Sequence, residues 1–475
     1  MAPRKITINP ITRVEGHGKV TINLDENGQV SHARFHITQF RGFEAFTQGR
    51  PFEEMPIITQ RICGICPVSH QLASAKACDA ILGREIPPAA RRLRELLHMG
   101  QYIQSHALHF FYLASPDLLL GWDADPAKRN VVGVIAEFPE AAKKGVRLRK
   151  FGQEIIKALG GKKVHPAYSV PGGVTDPLSE KDRERLLSGF PEAFETCALG
   201  LSLVKGWVEK NQQEVKEFAN FKSLYTGLVD SQGRVNLYDG RIRIVDADRE
   251  LMAEFESAKY LDYIGEHVEP WSYMKFPFYK PMGFPEGLYR VGPLGRLYAA
   301  DGLSTPKAAA ELNELRQMAG NGLAGGSLLY HYARLIEELY ALERAEELLS
   351  DERICDTDIR AMGKPTRREG VGVIEAPRGT LIHHYWVDEH GAMEKANLIV
   401  ATGHNNLAMN RAVELVAKKY IRNGQVKEGV LNRIEGAIRC YDPCLSCATH
   451  ALGQMPLKVE VYASGGELIH ELCRD

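Results

Sequence analysis

Two Cys-x-x-Cys pairs stand 378 positions apart, Cys63 with Cys66 in RICGICPVSH and Cys444 with Cys447 in YDPCLSCATH. A fold that uses both must close almost the whole chain onto one point. Each pair can chelate one metal, because a thiolate is a soft ligand and two of them three residues apart across a turn or helix start converge on one ion. One pair alone reads as a structural zinc half-site or as chance. Structural zinc ribbons join their pairs across roughly 15 to 20 residues, so the long gap here suggests a central site rather than a clip on a small lobe. Thioredoxin-type exchange needs one pair beside a βαβ pattern, whereas helical sequence follows Cys66. A four-cysteine iron–sulfur cluster stays open on ligand count alone.

The remaining composition narrows the classes. Nine cysteines in a chain whose first twelve residues, MAPRKITINPIT, lack the apolar core and cleavage site of a secretory signal argue against a disulfide framework. A cytoplasmic location is the corresponding expectation. Lys+Arg 59 against Asp+Glu 60 leaves a net charge of -1, which gives no general field for nucleic acid or an anionic membrane. The most apolar stretch, Leu108 to Trp122, is too short to span a bilayer and holds Pro116 and Asp117, so it reads as a buried helix end and loop. At 475 residues the length admits two or three average domains. No internal repeat, low-complexity tract or linker divides it, and one α+β unit over 1–475 is expected.

Periodicity supplies the elements. Val20, Ile22 and Leu24 alternate, Asn27-Gly28 supplies a turn, and Ala33, Phe35 and Ile37 alternate again, predicting a hairpin within a β region at 1–45. From about Ser69 to Ser350 (68–350 in outline) the signal is mostly helical, clearest where Leu335, Ile336, Leu339, Leu342, Ala345 and Leu349 mark one face. Asn236 to Gly240 and Trp271 to Gly295 read as a long ordered excursion over that bundle. A second β region at 370–403 follows from the alternation of Leu381, His383, Tyr385 and Val387, a turn at Glu389 to Gly391, and Ala396, Leu398 and Val400. Helix returns at 405–420.

Five segments in order, TRVEGHGK at 12–19, FRGFE at 40–44, RICGICPVSH at 61–70, EAPRGT at 375–380 and DPCLSCATH at 442–450, resemble the large subunit of nickel–iron hydrogenases. The set is most similar to the hydrogenase subunit of soluble, bidirectional NAD-reducing enzymes. The resemblance implies that family's fold: mainly α within α+β, a long-helix bundle with an N-terminal β-hairpin and a C-terminal β region. It implies a nickel held by Cys63, Cys66, Cys444 and Cys447, with Cys66 and Cys447 bridging to an iron that carries carbon monoxide and cyanide. Soft sulfurs suit nickel, and the diatomics supply a field that side chains cannot. Glu44 and His450 match the ligands of a nearby magnesium, its backbone carbonyl expected near Asn406 and Leu407; without the resemblance, Glu44 reads as a solvated charge. Arg378, beside Pro377, matches an arginine overhanging the metals, oriented by Asp442; the plainer reading is a surface arginine in a turn. Glu15 matches the carboxylate that takes a proton from a cysteine sulfur, and His70 the donor to a bridging sulfur. Ser105 stands where many membrane-bound relatives carry an aspartate, which leaves Arg378 one carboxylate fewer. His106 and His109 read equally as core histidines or as members of the network.

The activity implied is reversible heterolysis of dihydrogen, with the proton passing to the Cys444 thiolate or Arg378 and outward through Glu15. Cys78, Cys197, Cys355, Cys440 and Cys473 match no metal motif, so no second cluster remains to carry electrons away. GVGVIEAPRG lacks the third glycine of a dinucleotide fingerprint. The implied partners are an iron–sulfur small subunit plus a diaphorase module with FMN, iron–sulfur clusters and the NAD site. A nickel chaperone and an endopeptidase would mature the site, the latter removing 451–475 and leaving His450 at the end. The alternation of Leu457, Val459 and Val461 before Gly465-Gly466 also fits an ordinary terminal hairpin. The alternatives are a nickel–iron hydrogenase serving a deazaflavin, ferredoxin or disulfide reductase, and a noncatalytic scaffold around a structural metal.

Overall fold

Val20, Ile22 and Leu24 turn inward along the strand Gly18–Leu24, which pairs with Val30–Ile37 through a turn containing Gly28 at φ 72. Lys5–Ile8 adds a third antiparallel strand on the other edge. The structure is a computed structural model that describes residues 5–320, 325–424, 426–450, 457–463, 465 and 467–474.

Long helices Pro67–Leu82, Pro88–Leu108, Pro139–Gly160, Phe190–Lys210 and Leu329–Ser350 form the body. The expected face of the last, from Leu335 through Leu349, is buried, and so are Arg334, Glu337 and Glu338 on its other sides. This helix therefore runs through the interior, where its charges must find partners. The expected loop within 108–122 is instead helical: π-helical turns at His109–Ala114 and Pro116–Leu120 carry the chain to Gly121. Its backbone is largely shielded from water, so it satisfies its carbonyls and amides internally.

A four-stranded sheet interrupts the helical body, in the order Tyr289–Arg290, Leu224–Val229, Arg241–Val245, Leu251–Glu256, with the first pair parallel and the others antiparallel. Sequence reading placed an unassigned excursion at 236–240 and 271–295 and missed the strand at 224. Every residue of Leu224–Val229 is buried, so no period-two alternation marks it.

The C-terminal β region is an antiparallel sheet of Glu369–Ala376, Gly379–Val387 and Met393–Ile399, close to the expected bounds. Its first strand lies on the helix Pro67–Leu82, and its first hairpin turn is Pro377-Arg378, with Ala376 opposite Gly379. The helices Asn406–Tyr420 and Glu428–Arg439 follow. Leu457–Tyr462 pairs with Leu468–Arg474 in a terminal hairpin, while residues 451–456 lie outside the described set. One buried apolar cluster reaches from Ile8 to Cys447 and takes in both cysteine pairs.

Candidate metal centre

Cys66 occupies the N-cap of the helix Pro67–Leu82, where Pro67 at the first turn forfeits no hydrogen bond and the helix N-terminus favours negative charge. The Cys63 sulfur accepts from the backbone N–H groups of Ile65 at 3.2 Å and Cys66 at 3.1 Å, so this loop is shaped to hold thiolates. Cys444 and Cys447 flank the short 3-10 turn Leu445–Cys447. That turn is tied to distant chain: Cys444 N–H donates to the Thr402 hydroxyl at 2.9 Å, and Leu445 N–H to the Glu15 carbonyl at 3.0 Å.

These ties bring all four sulfurs within 4.8 Å of one another. Cys63 lies 3.3 Å from Cys444, and Cys66 lies 3.9 Å from Cys447. A tetrahedral ion with bonds of about 2.3 Å spaces its sulfurs roughly 3.8 Å apart, so the distances between the two pairs suit one metal, whereas Cys444 and Cys447, 2.7 Å apart, must separate by about 1 Å to share it. All four are buried. Hydrogen bonds from Cys444, then Cys447 and Cys63, hold the Cys66 thiol well below its usual range, whereas burial pushes Cys444 and Cys447 well above theirs. One thiolate is thus accommodated without help, and further thiolates call for a cation.

Arg378 closes the site from above. It lines a small, tight pocket together with Cys66, His70, Pro377, Cys444 and Cys447. Its Nε donates to the Asp442 carbonyl at 2.6 Å, one terminal nitrogen to Asp442 Oδ1 at 3.1 Å, and the other to Ser105 Oγ at 3.4 Å. The surface-turn reading is corrected: Arg378 is 3% exposed, because its hairpin turn points inward. Burial opposes its charge, but Asp442 and the nearby thiols outweigh this and raise its pKa. Asp442, at φ 51, offers both backbone and side chain to it, and burial raises the Asp442 pKa against the pull of Arg378.

Glu15 is half-buried and packs against the Cys444 turn. Its Oε2 accepts from the Cys444 thiol at 3.0 Å and from Ser446 N–H at 3.2 Å, while the Ser446 hydroxyl donates to Oε1. His70, one turn into the Cys66 helix, sits 3.2 Å from His383 through Nδ1, and its Nε2 has no hydrogen-bond partner. Ser446, Thr402 and His383 were not singled out from sequence. Ser446 is the one polar residue between the second pair of cysteines, a legible signal, but nothing local marks the other two.

Glu44 is 7% exposed, which corrects the solvated-charge reading; its Oε1 accepts from Leu398 N–H at 2.8 Å. Glu44 N–H donates to the His450 carbonyl, which brings the two residues together. His450 is buried with both ring nitrogens unpartnered, so its imidazole is free to serve as a cation ligand. Asn406 and Leu407 belong to the helix Asn406–Tyr420, and the Asn406 carbonyl accepts from Asn410. The backbone that meets Glu44 is that of Leu398.

Ser105 contacts Arg378, His106 pairs with Glu337 at 3.2 Å, and His109 donates to the Arg439 carbonyl at 2.8 Å. Cys78, Cys197, Cys355 and Cys440 lie apart from the cluster, and the side chain of Cys473 is outside the described set.

Fold and site together define a metalloenzyme whose two remote cysteine pairs meet in a buried four-thiolate centre beneath an arginine. The family profile described as nickel-dependent hydrogenase matches residues 41–137 and 201–450, and a HoxL-like profile matches 5–40. The chain is 46% identical to the NAD-reducing hydrogenase HoxS subunit beta of Cupriavidus necator, over 99% of this chain and 100% of that protein. It is 49% identical to the vhu-type F420-non-reducing hydrogenase subunit of Methanocaldococcus jannaschii, over 87% and 99%. The crystal structure of an NAD+-reducing [NiFe]-hydrogenase in the H2-reduced state superposes with a TM-score of 0.92 at 48% identity, covering 94% of this chain and 99% of that one. The chain belongs to the nickel-dependent hydrogenase family, as its large, catalytic subunit.

Proposed function

We propose that this subunit works within an NAD-reducing complex. Electrons from dihydrogen would leave through an iron–sulfur small subunit to a diaphorase module carrying FMN, iron–sulfur clusters and the NAD site. Support comes from the full-length similarity to the HoxS subunit and from the absence of any second cluster of metal-ligating residues among the described residues. No described helix is long and apolar enough to cross a membrane, which accords with a cytoplasmic complex.

Cys63, Cys66, Cys444 and Cys447 would hold the nickel, with Cys66 and Cys447 shared with an iron bearing carbon monoxide and cyanide. When bound, this centre supplies the Lewis acidity that polarises dihydrogen. The chain's own residues do the rest. Arg378, fixed by Asp442 and Ser105, presents a permanent positive charge to the pocket. The Cys444 sulfur lies 3.0 Å from Glu15 Oε2 and would hand its proton to it, and Ser446 aims that carboxylate from its hydroxyl and N–H. Glu15, half-exposed, passes the proton outward. His70 lies alongside Cys66 as a candidate donor to its sulfur. Glu44 and His450 would hold magnesium through a carboxylate and an imidazole, with waters and a backbone carbonyl completing the shell. The chain would act as one unit over 1–475, with a chaperone loading nickel and an endopeptidase then removing 451–475.

The carrying observation is the buried set of four sulfurs within 4.8 Å beneath Arg378. Metal analysis of the purified complex, with infrared absorption in the carbon monoxide and cyanide region, tests it. Nickel and iron near one-to-one with those bands are expected; zinc alone, without bands, would overturn the reading. A second reading, delivery to a deazaflavin, ferredoxin or another acceptor, is less favoured, since the relative at 49% identity is named as F420-non-reducing. Hydrogen-dependent NAD reduction by the intact complex decides between them.

A further inference from the structure

The turn that carries Arg378 is gripped from behind by a second arginine, Arg296, which does not line the pocket. Arg296 lies in the helix Gly292–Ala299 and is fully buried. Its Nε and one terminal nitrogen hold Glu337 at 2.6 and 2.7 Å, and the other terminal nitrogen holds Glu375 at 2.7 Å. The same two terminal nitrogens donate to the carbonyls of Ala376 at 2.8 Å and Pro377 at 3.2 Å, the two residues before Arg378. All five N–H donors of the guanidinium are thereby used. Glu375 in turn accepts from the Thr380 hydroxyl at 2.8 Å, its cross-strand partner, and from Leu228 N–H at 3.0 Å, so both strands entering the turn are tied. Glu337 also meets His106, the neighbour of Ser105, which touches Arg378.

We infer that Arg296 is a positioning residue for the metal centre: it fixes the Ala376–Pro377 backbone and, through Glu337 and His106, the Ser105 side, so that the Arg378 guanidinium stays over the four sulfurs. A buried ion network of this kind contributes little net stability compared with apolar packing, so its geometry is the reason to keep it. Lysine preserves charge but not the fork that spans two carboxylates and two carbonyls. The inference rests on the proposed role of Arg378.

The test compares wild-type and Arg296→Lys holocomplexes by metal content, infrared bands, thermal midpoint, and kcat and KM for hydrogen oxidation with an artificial electron acceptor. The variant should retain nickel and iron, shift the carbon monoxide and cyanide bands, and lose kcat on the order of a hundredfold. A lower midpoint with bands and kcat unchanged would make Arg296 a fold residue only and overturn the inference. If Arg296→Lys does not assemble, Gly227→Ala serves: its added methyl would sit 2.8 Å from Arg296 Cγ and 2.9 Å from its Cα, pushing residue 296 and its helix off the strand with the charge intact. The same band shift is expected, and unchanged bands and kcat in that folded variant would refute the inference. Absence of nickel and of bands in the wild type would instead refute the underlying hydrogenase site.

Discussion

At the residue scale the proposed roles in proton handling and metal holding meet at Cys444, and single substitutions should tell them apart at its neighbours. Cys444→Ser removes both a proposed nickel ligand and the thiol that faces Glu15, so hydrogen activity should vanish; retained turnover would sink the ligand assignment. Glu15→Gln keeps the shape and the Ser446 contacts but cannot take a proton. Hydrogen oxidation should fall roughly 10²- to 10⁴-fold while metal content and infrared bands persist. Arg378→Lys keeps a charge but loses the three-point hold on Asp442 and Ser105, and a loss of about 10²- to 10³-fold is expected in the same assay. Cys63, Cys66, Cys444, Cys447, Arg378, Glu15, Glu44 and His450 were all legible as candidates, because each sits in a short segment with an unusual pattern. Thr402 was not: a lone threonine that receives Cys444 N–H acquires its role only from a chain crossing.

At the scale of elements, the Cys66 helix is placed by the strand beneath it. Gly372 in Glu369–Ala376 lets that strand approach the helix so closely that an added Cβ would strike the Ala73 carbonyl oxygen. Gly372→Ala should therefore destabilise the protein by about 1–3 kcal/mol, read from denaturant midpoints, and reduce nickel occupancy through displacement of Cys66 and His70. An unchanged midpoint would mean that the helix has room to move. The glycine-rich run of this strand is thus close packing, consistent with its failure to match a dinucleotide fingerprint. Long helices and the hairpins at 18–37 and 379–399 were readable because one face of each is apolar at a fixed period. The strand Leu224–Val229 and the helical turns after Leu108 were not, since burial on all sides erases the period and leaves only an apolar run.

At the scale of the whole molecule, imidazoles are buried in several separate parts of the fold. Burial lowers His98, His331 and His404 to about 3 each. Their unfolded value is near 6.5. Below that value the unfolded chain binds protons that the native state refuses, so this stability is complete above pH 6.5 and is lost as pH falls toward 3. Each group should contribute up to about 1 kcal/mol of loss per pH unit in that window. Denaturant midpoints of the complex between pH 7 and 5 should fall, and His331→Gln should flatten the slope; a slope unaffected by it would show that His331 does not titrate as described. Proteolytic maturation also belongs to this scale: mass spectrometry of active complex should find the large subunit ending at His450, and a full-length subunit with full activity would remove the cleavage proposal.

The order and wording of five short segments sufficed to determine the family, and they marked the candidate metal ligands and proton carriers, because soft-metal ligation and proton transfer each demand particular side chains at tight spacing. Only the tertiary structure decided how those segments share one point. It showed that Glu15 backs onto Cys444, that Leu398 N–H meets Glu44, and that Arg296 grips the turn bearing Arg378. Each is a contact across at least 80 residues, set by the packing of helices and sheets, and pairwise packing at such distance leaves no local periodicity or motif to read.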